Sequence, residues 1–428
     1  MSVSRVQERK FHSAFERLPK RLTISFPIWG IYDTPGENAQ YKDMDKFVFE
    51  HKERGFNCIR LDDGAGLIHD LKGNRRGPVE IHTDVFGIYS QNMRQQGDIY
   101  GDGGKCDLYQ RLIDLCTAAK KYNVYIVLSS WYYLHTYWYH PQGDKIEKEL
   151  FSIEPKDRFM EFAKLLDYIL CDLEEKGLDS VIAFAEIFNE ADGLPFVNGY
   201  GSKNGLSDSE LEMFKNKHEE AIEWLKDKHP QILFAFDSYT SWTDKRQIPS
   251  NMQVYNYHDY YMWGIYDDVL NEHDEFFNGK VTEDDVRKSR EGLRPAADDW
   301  YKRVAMYSSL DDSKLKEFEE CLEEKLNEKF DFYLQKVDNN LDNVRRQISE
   351  FVGVPIVCGE GVSYIGSKKL LWEETSDKYW ELVEKAILKQ KNFGLWGTVI
   401  RTCMGPEDPC WNYRKDKIKH INELFLGE

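Results

Sequence analysis

A chain of 428 residues, 41% hydrophobic and 31% charged, has the composition of a globular protein with a large core, as one large barrel or two ordinary domains. Its formal net charge of -18 argues against nucleic acid, an anionic membrane or a strongly acidic polysaccharide as the main partner, because phosphate binding needs clustered Lys and Arg. No run approaches the ~18 apolar residues of a membrane span, and the N-terminal stretch lacks the apolar segment of a secretory signal.

Short β-branched or aromatic runs bounded by turn residues recur along the chain. In order they are LTISFPIWG (22–30), FNCIRLDDG (56–64), VYIVLSSWYY (124–133) and VIAFAEIFNE (181–190). ILFAFDSYT (232–240), MQVYNYHDYY (252–261), PIVCGEGVSY (355–364) and GLWGTVIRTC (394–403) follow. Helical patterns such as DLYQRLIDLCTAAKKYN separate most of them, with apolar residues three or four apart. Strands that are nearly all apolar need cover on both faces, the condition of a parallel sheet. Eight such units predict one α/β domain, a (β/α)8 TIM barrel spanning 1–428.

Two connections are oversized: 65–107 after the second strand, and 262–350 after the sixth, the latter rich in Glu, Lys and Asp. Both follow strand C-terminal ends, the face where barrels place active-site loops. They are expected as insertions that wall a pocket, with a merely solvated face as the alternative for the charged helix.

The eight cysteines are scattered without a C-x-x-C pair, and Cys58 and Cys358 lie inside apolar runs. The reading is a reducing, cytoplasmic setting with neither disulfide framework nor metal site, and no cofactor is expected.

The chemistry lies at the strand ends. The fourth run closes on Asn189-Glu190 and the seventh contains Glu360. Strands four and seven face each other across a barrel mouth. Glycoside hydrolysis asks for that pair: one carboxylic acid to protonate the leaving oxygen, one carboxylate at the anomeric carbon. At ~5 to 5.5 Å separation the mechanism is retaining, through a covalent glycosyl-enzyme.

On EIFNE in the fourth strand, YHDYY in the sixth, GE in the seventh and a Trp in the eighth, the sequence resembles clan A glycoside hydrolases. It is most similar to the cellulase-like family 5 group, as a divergent branch. The resemblance implies Glu190 as general acid/base and Glu360 as nucleophile. It implies Asn189 on the sugar 2-hydroxyl, Arg60 keeping Glu360 charged and oriented, and His258 and Tyr260 lining the site. It implies Trp396 as the floor under the reacting sugar. Trp131 stands where the family usually has a histidine, and Ala191-Asp192 where proline often follows. Asp62 and Asp63 are extra acids expected near the mouth as sugar ligands.

The expected activity is that of a retaining β-glycosidase on a β-linked oligosaccharide or small glycoside. The rival reading is a sugar-binding barrel without catalysis. The sequence leaves the sugar, the linkage and the oligomeric state open.

Overall fold

The structure, a computed structural model, describes residues 14–28, 30–32, 42–81, 104–131, 143–192, 207–262, 264–273, 276, 284, 309–362, 369–402, 404–406 and 408–427. Each apolar run yields a strand: β1 (Leu22–Ser25), β2 (Cys58–Asp62), β3 (Tyr125–Ser129) and β4 (Ile182–Glu186). Then come β5 (Phe234–Ser238), β6 (Val254–Asp259), β7 (Ile356–Gly361) and β8 (Gly397–Val399). Every strand pairs in parallel with the next, and β8 returns to β1 to close the barrel. Nearly every strand residue is buried, because the barrel interior covers one face and the helices the other. The expected (β/α)8 fold is the fold observed.

Among the described residues the longest helices are α1 (Met44–Glu53), α2 (Leu108–Tyr122), α3 (Arg158–Glu175) and α4 (Asp208–Lys228), then α5 (Asp312–Gln347), α6 (Asp377–Phe393) and α7 (Lys415–Leu426). Asp43, Asp107, Ser207, Asp311 and Ser376 each accept from the first turn of the helix they precede, satisfying donors that a helix cannot satisfy itself. Asn123 and Gly394 stop α2 and α6 in the left-handed conformation.

The charged stretch before β7 becomes α5, a single helix of 36 residues and so ~54 Å long. Its buried stripe (Leu315, Phe318, Leu322, Leu326, Phe330, Tyr333, Val337, Leu341, Val344) packs on α6 and on the short helix Ile265–Glu272. Within the segment after β2, Val79–Ile81 pairs antiparallel with Gly104–Cys106. Residues 82–103 of that segment, and 263, 274–275, 277–283 and 285–308 of the other, lie outside the described residues.

The strands stop earlier than the apolar runs. β4 ends at Glu186, and Asn189-Glu190 occupies a turn beyond it, where the Asn189 N–H donates to the Ser130 carbonyl. Register explains the difference: Glu186 is the last β4 residue with a partner on both β3 and β5.

Candidate active site

Arg60, from the middle of β2, is wholly buried inside the barrel, and carboxylates from three other strands close on it. Its Nη1 donates to Glu360 Oε1 at 2.8 Å. Its Nη2 lies 2.9 Å from Glu186 Oε2, 2.9 Å from Asp237 Oδ2 and 2.5 Å from the Asn189 amide oxygen. The guanidinium also lies 4.6 Å from the centre of the Phe26 ring. Burial alone would lower the Arg60 pKa, but the Glu186, Asp237 and Glu360 charges outweigh it and hold the guanidinium well above its ordinary value.

His258 links the two candidate catalytic acids. Its Nδ1 lies 3.0 Å from Glu190 Oε1, while its Nε2 is 3.2 Å from Asp237 Oδ1 and 3.3 Å from Glu360 Oε1. The Tyr260 hydroxyl donates to the other Glu360 oxygen at 2.6 Å. A Glu190 oxygen, a His258 nitrogen and a Glu360 oxygen all lie within 4.8 Å of one another. Glu190 keeps 18% of its side chain exposed and Glu360 3%, so the first is the more open to a ligand.

Local backbone irregularities place these groups. Between β6 and β7 the register skips Gly359, so His258 pairs with Glu360 instead of its predecessor. A Cβ at Gly359 would sit 2.4 Å from the Asn256 amide, so only glycine fits. Glu190 has φ 55° and Val362 has φ 76°, both left-handed. For a β-branched residue that is strained, and Val362 is held by its N–H to the Asp259 carbonyl and its carbonyl to the Met262 N–H.

The electrostatics divide the carboxylates. Burial pushes Glu190 up to about 7; the hydrogen bond and charge of His258 oppose the rise, while Glu360 and Asp237 add to it. Burial likewise pushes Glu186 up to about 7, opposed by Arg60 and aided by Asp237. Asp237 ends below its ordinary value, because His258 and Arg60 outweigh its burial. Burial would lower His258, yet Asp237 and Glu360 raise it well above the usual imidazole range. The arrangement therefore holds one carboxyl able to give and take a proton near neutrality beside another that accepts two donors.

Glu190, Glu360, Arg60, Asn189, His258 and Tyr260 come together as one cluster. Trp131 joins it differently: only 3% exposed, it donates its indole N–H to Ser129 Oγ at 3.1 Å and packs beside Phe26 and Arg60. Trp396 is not there. It precedes β8 and so lies at the opposite, N-terminal end of the barrel, between Phe15 and Phe184, with its indole N–H on the Pro19 carbonyl at 3.0 Å. The floor role expected for Trp396 is therefore withdrawn. Asp62 and Asp63 are also not presented to a sugar. Both are wholly buried; Asp62 accepts from Tyr32 at 2.6 Å, and Asp63 from Ser130 at 2.7 Å and the Ala65 N–H at 2.8 Å.

Sequence reasoning missed Asp237, which contacts Arg60, His258, Asn256 and the Glu190 backbone. Its signal was a lone acid inside the fifth apolar run, ILFAFDSYT. The Glu190–His258–Glu360 spacing would also suit a cation, but Arg60 and a proton-holding His258 already supply positive charge there. Two further groups with such spacing among the described residues, Asp167/Cys171/His229 and Glu374/Asp408/Cys410, hold Lys228 and Arg401.

The fold is a closed (β/α)8 barrel, with the carboxylates, Arg60 and His258 gathered in one cluster. No protein-family model and no curated protein matches the chain. Among solved structures, a candidate glycoside hydrolase from Parabacteroides distasonis ATCC 8503 is similar over 95% of this chain and 94% of its own, with TM-score 0.66 and 17% identity. A glycoside hydrolase family 5 enzyme from Prevotella bryantii B14, in complex with a xyloglucan tetradecasaccharide, is similar over 96% and 98%, with TM-score 0.51 and 10% identity. At these identities the likeness shows the fold alone, and at that level the resemblance to the cellulase-like family 5 group holds.

Proposed function

We propose that the protein is a retaining β-glycosidase acting on a β-linked oligosaccharide or glycoside. The observation that carries this reading is the Glu190–His258–Glu360 cluster, with carboxylate oxygens within 4.8 Å of each other at the mouth of the barrel. Retaining enzymes hold their two carboxyl groups ~5 to 5.5 Å apart, whereas inverting ones leave ~6.5 to 9.5 Å for a water between them.

In the first step Glu360 attacks the anomeric carbon while Glu190 gives its proton to the leaving oxygen, so the glycosidic bond breaks as the Glu360 ester forms. In the second, Glu190, now ionised, takes a proton from a water that attacks the same carbon and releases Glu360. Arg60 and Tyr260 each donate to one Glu360 oxygen and so fix its orientation for attack. His258 supports Glu190 through its Nδ1 contact. Asn189 is assigned to the sugar 2-hydroxyl, with its amide oriented by Arg60.

The scattered spacing of the cysteines, with no C-x-x-C pair, supports a reducing, cytoplasmic setting and hence small soluble substrates. Among the described residues no helix is long and apolar enough to cross a membrane.

The test is release of nitrophenol from a panel of aryl β-glycosides by wild type beside Glu360→Ala and Glu190→Gln. Turnover by wild type, none by Glu360→Ala, and reduced turnover with sugar binding retained in Glu190→Gln, is the expected result. Full activity of either variant, or wild-type silence across a wide panel, overturns the assignment.

A further inference from the structure

The inner face of α5, the long charged helix inserted between β6 and β7, carries polar side chains that reach the barrel strands. Asn340, half-buried on α5, donates its Nδ2 to Asp259 Oδ1 at 2.6 Å, and its Oδ1 accepts from Ser241 Oγ at 2.9 Å. Two turns later Gln347 accepts from the Tyr255 hydroxyl of β6 at 2.7 Å and donates to the Thr243 carbonyl at 2.9 Å. From α6, Gln390 reaches the other Asp259 oxygen at 3.5 Å, and its own amide oxygen accepts from Thr398 Oγ1 at 2.5 Å.

Asp259 is wholly buried and is the last residue of β6. Successive side chains of a strand point to opposite faces, so Asp259 faces the helices while His258 and Tyr260 face the barrel interior. There His258 meets Glu190 and Tyr260 meets Glu360. The Asp259 carbonyl accepts the Val362 N–H at 3.0 Å, which ties the same residue to the end of β7. Burial pushes the Asp259 carboxyl up to about 6, and the bonds from Asn340 and Gln390 and the charge of Lys336, one turn before Asn340, oppose the rise. A buried carboxyl is costly unless its donors are in place, so the position of Asp259 is bound to that of Asn340. Both neighbours of Asp259 in the chain belong to the site.

We propose that Asn340 is a positioning residue of the site: by holding Asp259 from outside the barrel, it sets the end of β6 and so places His258 on Glu190 and Tyr260 on Glu360. The charged insertion is then a working part of the site and not only a solvated cover. Its effect on turnover rests on the glycosidase reading; its effect on His258 does not.

The test compares wild type, Asn340→Ala, Asn340→Leu and the exchanged pair Asp259→Asn with Asn340→Asp, which reverses the hydrogen bond and leaves a carboxylate oxygen for Ser241. Alanine and leucine are strong helix formers, so α5 is kept in the single variants. Two readouts are taken: the His258 signal in magnetic resonance of 15N-histidine protein, assigned with His258→Gln, and turnover of aryl β-glycosides across pH. Both single variants should move the His258 signal and lower kcat about 10-fold with KM nearly unchanged. The alkaline limb should shift to higher pH, because the His258 bond and charge hold Glu190 down against burial, Glu360 and Asp237. The exchanged pair should recover most of each change. An unmoved His258 signal in the single variants overturns the proposal whatever happens to turnover, and so does a moved signal that the exchange leaves uncorrected. If wild type turns over nothing, the glycosidase reading fails, while a His258 signal moved by the single variants and restored by the exchange still supports the positioning role.

Discussion

The side chain of Asp237 holds the main chain of Glu190: its Oδ1 accepts the Glu190 N–H at 2.9 Å, at a residue whose φ of 55° few non-glycine residues adopt. The other oxygen of Asp237 takes Arg60 at 2.9 Å and Asn256 at 2.7 Å. One carboxylate thus fixes the backbone of the candidate acid and neutralises the guanidinium that orients the candidate nucleophile.

Asp237→Asn keeps the shape and removes the charge. Arg60 and His258 then remain buried with one carboxylate fewer, and breaking a buried pair typically costs about 3–5 kcal/mol. Denaturant unfolding should show a loss of that order, with turnover falling at least about 10²-fold in whatever protein stays folded. An unfolding free energy within about 0.5 kcal/mol of wild type would mean that the charge of Asp237 does not hold the site.

The pH dependence has two parts of known sign. Bond cleavage needs Glu190 protonated, and its carboxyl is pushed up to about 7, so kcat/KM should fall on the alkaline side with a midpoint near pH 7. Glu190→Gln, assayed on an aryl glycoside whose leaving group needs no proton, should lose that limb. Stability follows Glu186, whose folded pKa of about 7 lies above its ordinary 4.5. Its contribution is fully present below pH 4.5 and is lost as pH rises through about 7, to an extent of roughly 3 kcal/mol. Glu186→Gln should flatten that part of a stability-versus-pH curve. A curve of unchanged slope between pH 4.5 and 7 would count against a protonated Glu186.

Gly359 is a steric requirement. A methyl group there would meet the Asn256 amide at 2.4 Å, and Asn256 holds Glu186 at 2.6 Å and Asp237 at 2.7 Å. Gly359→Ala should cost about 1–3 kcal/mol and lower activity, since the displaced amide disturbs both acids. Pairing it with Asn256→Ala, which opens the space, should recover part of the loss caused by the methyl. Purely additive effects of the two changes would show that the clash is not the cause.

Much of this site was legible because its polar and charged residue types interrupt or close apolar runs, as Arg60, His258, Tyr260 and Glu360 do. The (β/α)8 order was legible for the same reason, since strands buried on both faces leave uninterrupted apolar runs. Asp237 was harder to see, because its partners come from β2, the turn after β4, and β6, and no local spacing joins them. The pairing of His258 with Glu360 depends on a register skip at Gly359, which a sequence does not display. Trp396 was misplaced because the run 394–403 is longer than the strand it contains; the depth at which each residue of the run sits depends on the register of β8 with β1, where Leu22 pairs with Gly397.

That misplacement gives a discriminating experiment. Trp396 is 5% exposed, its ring lies 4.9 Å from Phe15 and 6.0 Å from Phe184, and it precedes β8 at the end of the barrel away from Glu190 and Glu360. Trp396→Ala should therefore cost about 3–5 kcal/mol of stability through the cavity it leaves. Trp396→Phe, keeping ring contacts but losing the indole bond to the Pro19 carbonyl, should cost about 1 kcal/mol. Neither should change KM in protein that remains folded, because no part of a substrate at the mouth reaches that layer. A tenfold rise in KM for Trp396→Phe at near-normal stability would return the tryptophan to the substrate and require a different barrel register from the one observed.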